Sequence, residues 1–137
     1  MDRVRARDQL RKLTTPRGAE CGFRGRRRDR ATAGGRASVR AGVRGGRATA
    51  VAFDDGRPAA ICHAPRGLAA HAAEAGVETL PPFRRRGLAT AAVACWARAV
   101  QRTGRLALYS TTWDNAAWRG VARRLNALLY AEDWHMA

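Results

Sequence analysis

The sequence predicts an α/β domain over residues 48–137, in which three antiparallel strands lead into a parallel strand–helix–strand unit, followed by a helix and an edge strand. Three observations predict this fold class. An Asp-Gly turn separates two strand-like runs, and the apolar periodicity changes from 2 to 3.6 residues at Leu88. The composition also changes near residue 47. We expect the first 47 residues to be poorly structured.

The charge of the chain is concentrated at its start. Residues 1–50 hold 15 of the 26 basic side chains and 4 of the 11 acidic ones, a net charge of +11 out of +15. Arginine, glycine and alanine make up 30 of these 50 residues. Such a segment cannot bury enough apolar surface to offset the entropy lost on ordering. Residues 1–47 are therefore interpreted as a basic Arg/Gly/Ala-rich segment, and residues 48–137, with all four tryptophans, as one small domain.

Three interpretations of the basic segment remain open. It can be a solvated tail, as its composition suggests. Its arginines can bind nucleic acid through phosphates, although no aromatic side chains interleave with them as in many such proteins, which makes nucleic acid the less favoured partner. Finally, Arg, Gly and Ala are all encoded by GC-rich codons, so an off-frame translation of a GC-rich gene has the same composition.

Three strands are predicted at the start of the domain. Residues 48–53 alternate apolar side chains, and Asp55-Gly56 then turns the chain, because glycine accepts the positive φ that a tight hairpin requires. Residues 57–64 form the returning strand. A third strand follows at about residues 73–80, so three antiparallel strands are expected in succession.

The next segment has the period of a helix that ends near Arg102. Its apolar side chains fall on one face: Leu88, Ala92, Cys95, Trp96 and Ala99. Gly104 is placed to adopt the left-handed conformation that closes a helix. Residues 105–110 follow as a strand, so the strands before and after the helix are expected to run parallel.

A second helix and a last strand complete the predicted domain. Asp114 or Asn115 is a good N-cap for the helix, and Asn126 tolerates the left-handed conformation at its end. Residues 128–134 read as a half-buried edge strand. Its expected partner is the strand at residues 105–110.

An anion site is predicted where the third strand meets the first helix. Pro81 and Pro82 end the strand, since neither can donate a ladder hydrogen bond. Three arginines and Gly87 then open the helix. The first N–H groups of a helix have no intrahelical acceptor and carry a partial positive charge, so this position favours a pyrophosphate.

The segment Arg84-x-x-Gly87-x-Ala89 resembles the Gln/Arg-x-x-Gly-x-Gly/Ala signature of the GNAT superfamily of acyl-CoA-dependent N-acetyltransferases. The order of helices and strands that follows is similar too, so the resemblance covers about residues 48–137. It implies a GNAT-like α/β fold in which the two parallel strands splay apart and acetyl-CoA enters the gap. The implied activity is transfer of an acetyl group from acetyl-CoA to a primary amine of a small molecule or protein.

The resemblance also implies the residues of the donor site. Backbone groups of Thr79 and Leu80 would hold the pantetheine arm and polarise the thioester carbonyl, and Asn115 would reach the same region. The pyrophosphate would be held by the motif and the helix start, which comprise Arg84, Arg85, Arg86, Gly87, Leu88, Ala89 and Thr90.

Acid–base residues are expected near the same strand. Relatives often use a glutamate there, so Glu78 is the first candidate for the general base and Glu74 the second; on an unbroken strand both point to one face. Either could instead only solvate that face. Relatives often place the general-acid tyrosine seven residues after the asparagine, where this chain has Ala122. Tyr130, together with Tyr109, is the candidate that remains.

The remaining predictions concern metals, location and partners. The cysteines and histidines have no metal-ligand spacing, so we expect no metal. No run of 18 apolar residues and no apolar leader is present, so we expect a cytoplasmic protein without a membrane partner. The resemblance implies a possible homodimer. Because residues 1–47 show no acceptor-side helices, the alternative function is a truncated or non-catalytic GNAT-like module with a basic tail.

Overall fold

A computed structural model describes residues 9–14, 37–65 and 70–134. The strands of these residues are β1 (Gln9–Thr14), β2 (Ala37–Arg44), β3 (Arg47–Asp54), β4 (Arg57–His63), β5 (Ala72–Glu74), β6 (Gly76–Thr79), β7 (Leu106–Thr112) and β8 (Leu128–Trp134). The helices are α1 (Leu88–Arg102) and α2 (Ala116–Arg124), with a 3₁₀ turn at Pro81–Phe83.

The first sheet is antiparallel, with the strand order β2-β3-β4-β6. Asp55 and Gly56 join β3 to β4 with φ values of 52° and 77°. Positive φ at both positions belongs to the type I′ turn, which matches the twist of a hairpin. This confirms the predicted turn. Gly45 and Gly46, with φ values of 55° and 75°, join β2 to β3 in the same way.

The start of the chain contributes two strands that the sequence did not predict. β2 pairs with β3 along its whole length, and β1 pairs with both β7 and β8. The expectation of a poorly structured segment up to residue 47 is therefore corrected for β1 and β2. Backbone pairing supplies these strands with hydrogen bonds whatever their composition, so a basic sequence can still form a strand when a partner strand is present.

The second sheet has the strand order β5-β7-β1-β8. β5 runs parallel to β7, whereas β1 is antiparallel to both of its neighbours. β8 lies at the edge of this sheet, as predicted, but its partner is β1. The expectation that β8 pairs with the strand at residues 105–110 is wrong, because β1 occupies the position beside β7.

The predicted third strand is divided in two at Ala75. Before the division, β5 pairs with β7; after it, β6 pairs with β4. The Ala75 N–H still donates to the Leu108 carbonyl at 2.9 Å, and beyond this point β6 leaves β7. The parallel strand–helix–strand unit and the separation of its two strands are thus both confirmed. The site described below lies beside β6, where it has left β7.

The core forms where α1 packs on the first sheet. All five predicted apolar positions of the helix are buried. The sheet face below them carries small side chains, namely Ala48, Ala50, Ala52, Ala60 and Cys62, which leave room for Trp96 at 1% exposure. The Trp96 Nε1 donates to the Ala48 carbonyl at 3.1 Å, so the buried indole keeps its hydrogen bond. Gly104 follows the helix with a φ of 80°, as predicted.

The second helix also begins and ends as predicted. The Asn115 side chain accepts a hydrogen bond from the Trp118 N–H at 3.1 Å, which is the N-cap bond. Asn126 ends the segment with a φ of 51°. In the part of the chain that the structure describes, neither helix has the length and apolar character needed to cross a membrane.

Candidate functional site

A cavity of about 1410 Å³ opens beside β6, where the first sheet turns away from β7. Residues of β3, β4 and β6 form one wall, and the start of α1 and the inner side of α2 form the others. The cavity therefore lies beside β6 and at the N-terminus of the crossover helix, and none of the described residues of β7 lines it.

The backbone of β6 presents hydrogen-bonding groups to this cavity. The Leu80 N–H donates to the Ala59 carbonyl at 2.9 Å, and Glu78 pairs with Ile61 one step along. In an antiparallel pair, successive residues direct their N–H and C=O groups alternately toward and away from the partner strand. The backbone groups of Val77 and Thr79 therefore point away from β4, toward the gap.

This alternation decides which backbone groups at the end of β6 are available to a ligand. The Leu80 N–H is bound to Ala59, and its carbonyl accepts from the Phe83 N–H at 2.9 Å, so the backbone of Leu80 is used within the protein. Its side chain still lines the cavity. The backbone groups of Thr79 point away from β4, and the Arg84 Nε donates to its carbonyl at 3.3 Å. Val77 shares this orientation but was missed, since only the register with β4 reveals it.

The start of α1 forms a cradle at the end of the cavity. Gly87 is the N-cap residue with a φ of 77°, and the first helical hydrogen bond runs from the Ala91 N–H to the Gly87 carbonyl at 3.1 Å. The N–H groups of Leu88, Ala89 and Thr90 precede that bond and need acceptors from outside the helix. A Cβ added at Gly87 would meet no atom within 4 Å, so the backbone here borders open space.

Thr90 adds a polar group to the same cradle. Its Oγ1 is buried and has no hydrogen-bond partner in the structure. A buried hydroxyl without a partner is costly, and a bound anion at the helix start would satisfy it. Thr90 also lines the cavity, as do Leu88 and Ala89.

The three arginines of the motif do not act alike. Arg84 and Arg85 are exposed and line the cavity. Arg86 does not line it: its Nη1 lies 2.6 Å from the Asp54 Oδ2, and its guanidinium stacks on the Phe83 ring at 5.7 Å. The structure therefore ties the side chain of Arg86 to β3 rather than to the cavity. On the opposite wall, the end of α2 contributes Arg123 and Arg124.

Of the predicted catalytic residues, the structure brings only Glu78 to the cavity. Glu78 is exposed and is the one carboxylate among the described residues that line it. Glu74 lies on β5, where it pairs with Leu108, because the division at Ala75 separates it from β6. Tyr130 lies on the edge strand β8, half exposed and outside the cavity lining.

Tyr109 is buried under α2. Its ring stacks on Trp118 with a centroid distance of 5.2 Å, and its hydroxyl donates to the Trp118 carbonyl at 3.3 Å. Burial, and next the electrostatic interaction with Cys62, raise the pKa of Tyr109 above its ordinary value, so the hydroxyl stays protonated at neutral pH. The cavity lining includes Trp118 but not Tyr109.

Asn115 also lines the cavity, next to β6. Its side-chain oxygen is engaged as the cap of α2, which leaves the side-chain amide N–H groups to face a ligand. No cluster of three or more His, Cys, Asp or Glu side chains that could hold a metal ion occurs within the described ranges.

Among the comparisons with known proteins, only solved structures match this chain, and they show its fold. No protein-family model and no curated protein match the sequence. A solved structure from Novosphingobium aromaticivorans, assigned to the GNAT family of acetyltransferases, matches 95% of this chain with a TM-score of 0.62 and 18% identity. The fold is GNAT-like.

A second solved structure is a GCN5-related N-acetyltransferase-like protein from Streptococcus suis. It matches 65% of this chain with a TM-score of 0.54 and 18% identity. The chain spans 63% of the length of the first structure and 36% of the second.

Proposed function

We propose that the chain is an N-acetyltransferase that binds acetyl-CoA in the cavity beside β6 and transfers the acetyl group to a primary amine. One observation carries the proposal: in this GNAT-like fold, the cavity beside β6 reaches the N-terminus of α1, where Gly87 borders open space. An extended chain of amides and a diphosphate are the groups that such a strand edge and such a helix start can bind.

The donor would be held by three groups of contacts. The outward backbone groups of Val77 and the outward N–H of Thr79 would pair with the amides of the pantetheine arm, as an added strand would, while the Thr79 carbonyl keeps its hydrogen bond from Arg84. The diphosphate would accept hydrogen bonds from the first N–H groups of α1 and from the Thr90 hydroxyl. Arg84 and Arg85 would add screened charge at the cavity mouth.

Glu78 would serve as the general base. The amine nitrogen attacks the thioester carbonyl carbon, the C–N bond forms, and the C–S bond then breaks. The ammonium first gives one proton to Glu78, directly or through a water molecule, which frees the attacking lone pair. The nitrogen loses its second proton as the amide forms, and a water molecule passes that proton to the departing thiolate. The described residues of the cavity lining include no tyrosine, cysteine or histidine that could donate it instead.

Because the described lining residues offer no general acid for the thiolate, a second candidate function is also considered. A GNAT-like module can bind acyl-CoA without turning it over. In that case the cavity would bind coenzyme A, but no amine would be acetylated.

An acetyl-transfer assay on a panel of amines distinguishes the two candidates. The proposed enzyme releases coenzyme A in step with amine acetylation. Glu78→Gln is expected to lower kcat by roughly 100-fold while leaving the affinity for acetyl-CoA nearly unchanged, because the base acts only in the chemical step. Glu74→Gln is the matched control and is expected to keep kcat.

Three results would be decisive against parts of this proposal. Binding of acetyl-CoA without turnover on any amine would favour the non-catalytic module. A loss of turnover in Glu74→Gln but not in Glu78→Gln would transfer the base to β5. The absence of acetyl-CoA binding would remove both functions.

A further inference from the structure

One row of side chains crosses the first sheet at Glu78. In the strand registers, Glu78 lies opposite Ile61, Ile61 opposite Val51, and Val51 opposite Arg40. Residues directly opposite each other in antiparallel strands point to the same face. The opposite face carries Ala50 and its small neighbours and is the face that α1 covers. The row therefore runs from β6 to β2 on the face turned away from α1.

The middle of this row is apolar and belongs to the cavity. Val51 and Ile61 are partly buried and line it, as does Phe53 two residues along β3. The cavity therefore continues two strands beyond Glu78, past the part that the acyl donor would fill. An apolar floor of this kind favours a ligand with a hydrocarbon body.

A positive charge stands at the far end of the row. Arg40 is exposed on β2, and its guanidinium lies over the Phe53 ring, 5.4 Å from the centroid. This cation–π contact holds the guanidinium above the apolar floor. The surface thus offers a carboxylate at one end, an apolar middle and a guanidinium at the other end.

We propose that this row is the acceptor subsite, and that the acceptor is a small zwitterion with a primary amine and a carboxylate joined by an apolar chain. The inference rests on the proposed function and names its substrate class. The ammonium lies at Glu78, the hydrocarbon on Ile61 and Val51, and the carboxylate at Arg40. Polyamines and basic peptides are disfavoured, because their second cation would meet Arg40 or the arginines at the cavity mouth.

The strand spacing sets the length of the acceptor. Three inter-strand steps span about 14 Å, and a hydrogen-bonded ion pair takes about 3 Å at each end, which leaves roughly 8 Å between amine and carboxylate. Among simple probes, 6-aminohexanoate and 8-aminooctanoate bracket this length. Octylamine lacks the carboxylate, and 1,8-diaminooctane replaces it with a cation.

The experiment measures both the binding of these probes by calorimetry without acetyl-CoA and their acetylation. An aminoalkanoate is expected to bind about fivefold or more tightly than octylamine, and the diamine most weakly. Arg40→Gln is expected to bring the ratio of aminoalkanoate to octylamine binding close to one. Arg44→Gln, on the same strand and the same face but at the hairpin end, is the matched control and is expected to keep the ratio.

Equal binding of aminoalkanoate and octylamine, or tighter binding of the diamine, would overturn the inference. So would a ratio that drops equally in Arg40→Gln and Arg44→Gln, because the effect would then come from overall charge. If octylamine is acetylated as well as the aminoalkanoates, the acetyltransferase proposal stands and only the acceptor class is wrong. If acetyl-CoA itself does not bind, the proposed function is the part that fails.

Discussion

Replacing Gly87 with alanine tests whether the start of α1 touches a ligand or only turns the chain. Gly87 and Gly56 share a φ of 77°, and a Cβ at either position meets nothing within 4 Å. They differ in location, since Gly87 lines the cavity and Gly56 lies in the β3–β4 hairpin outside it. Gly56→Ala is therefore a control for the backbone strain of Gly87→Ala.

The substitution changes two quantities, the free energy of unfolding and the affinity for coenzyme A. An alanine in the left-handed region costs about 1–2 kcal/mol, so both variants are expected to lose that amount of folding free energy. At Gly87 the added methyl group also occupies the space next to the N–H groups of Leu88 and Ala89. Loss of one hydrogen bond to a charged phosphate is worth about 1.5–3 kcal/mol, so the dissociation constant for coenzyme A is expected to rise roughly 10- to 100-fold.

Two assays separate these effects: urea unfolding for stability, and isothermal titration of coenzyme A for binding. The expected result is equal destabilisation of both variants and weaker binding in Gly87→Ala alone. If Gly87→Ala binds coenzyme A as tightly as Gly56→Ala, then Gly87 is only a turn residue and the cradle is wrongly assigned.

Two further predictions concern a side chain outside the cradle and a buried thiol. Arg86→Gln breaks a partly exposed ion pair with Asp54, so it is expected to cost under about 1 kcal/mol in urea unfolding and to leave the affinity for coenzyme A within about twofold. A loss of affinity well beyond twofold would place Arg86 in the site. Burial raises the pKa of the Cys62 thiol above its ordinary value, so the folded protein keeps a proton that the unfolded chain releases. The contribution of this thiol to the free energy of unfolding is then fully present below about pH 8.5. It falls as the pH rises further, by up to roughly 1.4 kcal/mol per pH unit. Urea unfolding between about pH 7 and pH 10 should show this decline reduced in Cys62→Ala, and an identical profile in that variant would contradict it.

Local signals in the sequence predicted most of the domain. Asp55-Gly56 predicted a hairpin, since few residues accept positive φ, and the spacing of Leu88, Cys95 and Trp96 predicted a buried helix face. Gly45-Gly46 carries the same signal as Asp55-Gly56 and could have revealed β2. It was missed because the basic composition around it outweighed the turn.

Features that depend on pairing between distant strands could not be predicted. β1 has no apolar alternation, and its position between β7 and β8 follows from partners about 100 residues away in the sequence. The division at Ala75 separated Glu74 from Glu78, although both have the same parity. The role of Val77 and the row that ends at Arg40 both depend on strand registers, which side-chain periodicity alone does not give.

The proposed donor site consists of the outward edge of β6 and the first turn of α1, which would bind coenzyme A. The most direct measurement is a titration of the ¹⁵N-labelled protein with coenzyme A, observed at the backbone amides of Val77, Thr79, Leu88, Ala89 and Thr90. Saturable shifts that are largest at these five amides are the expected result. If the protein is folded and the signals of these five amides do not shift at saturating coenzyme A, the proposed donor site is contradicted.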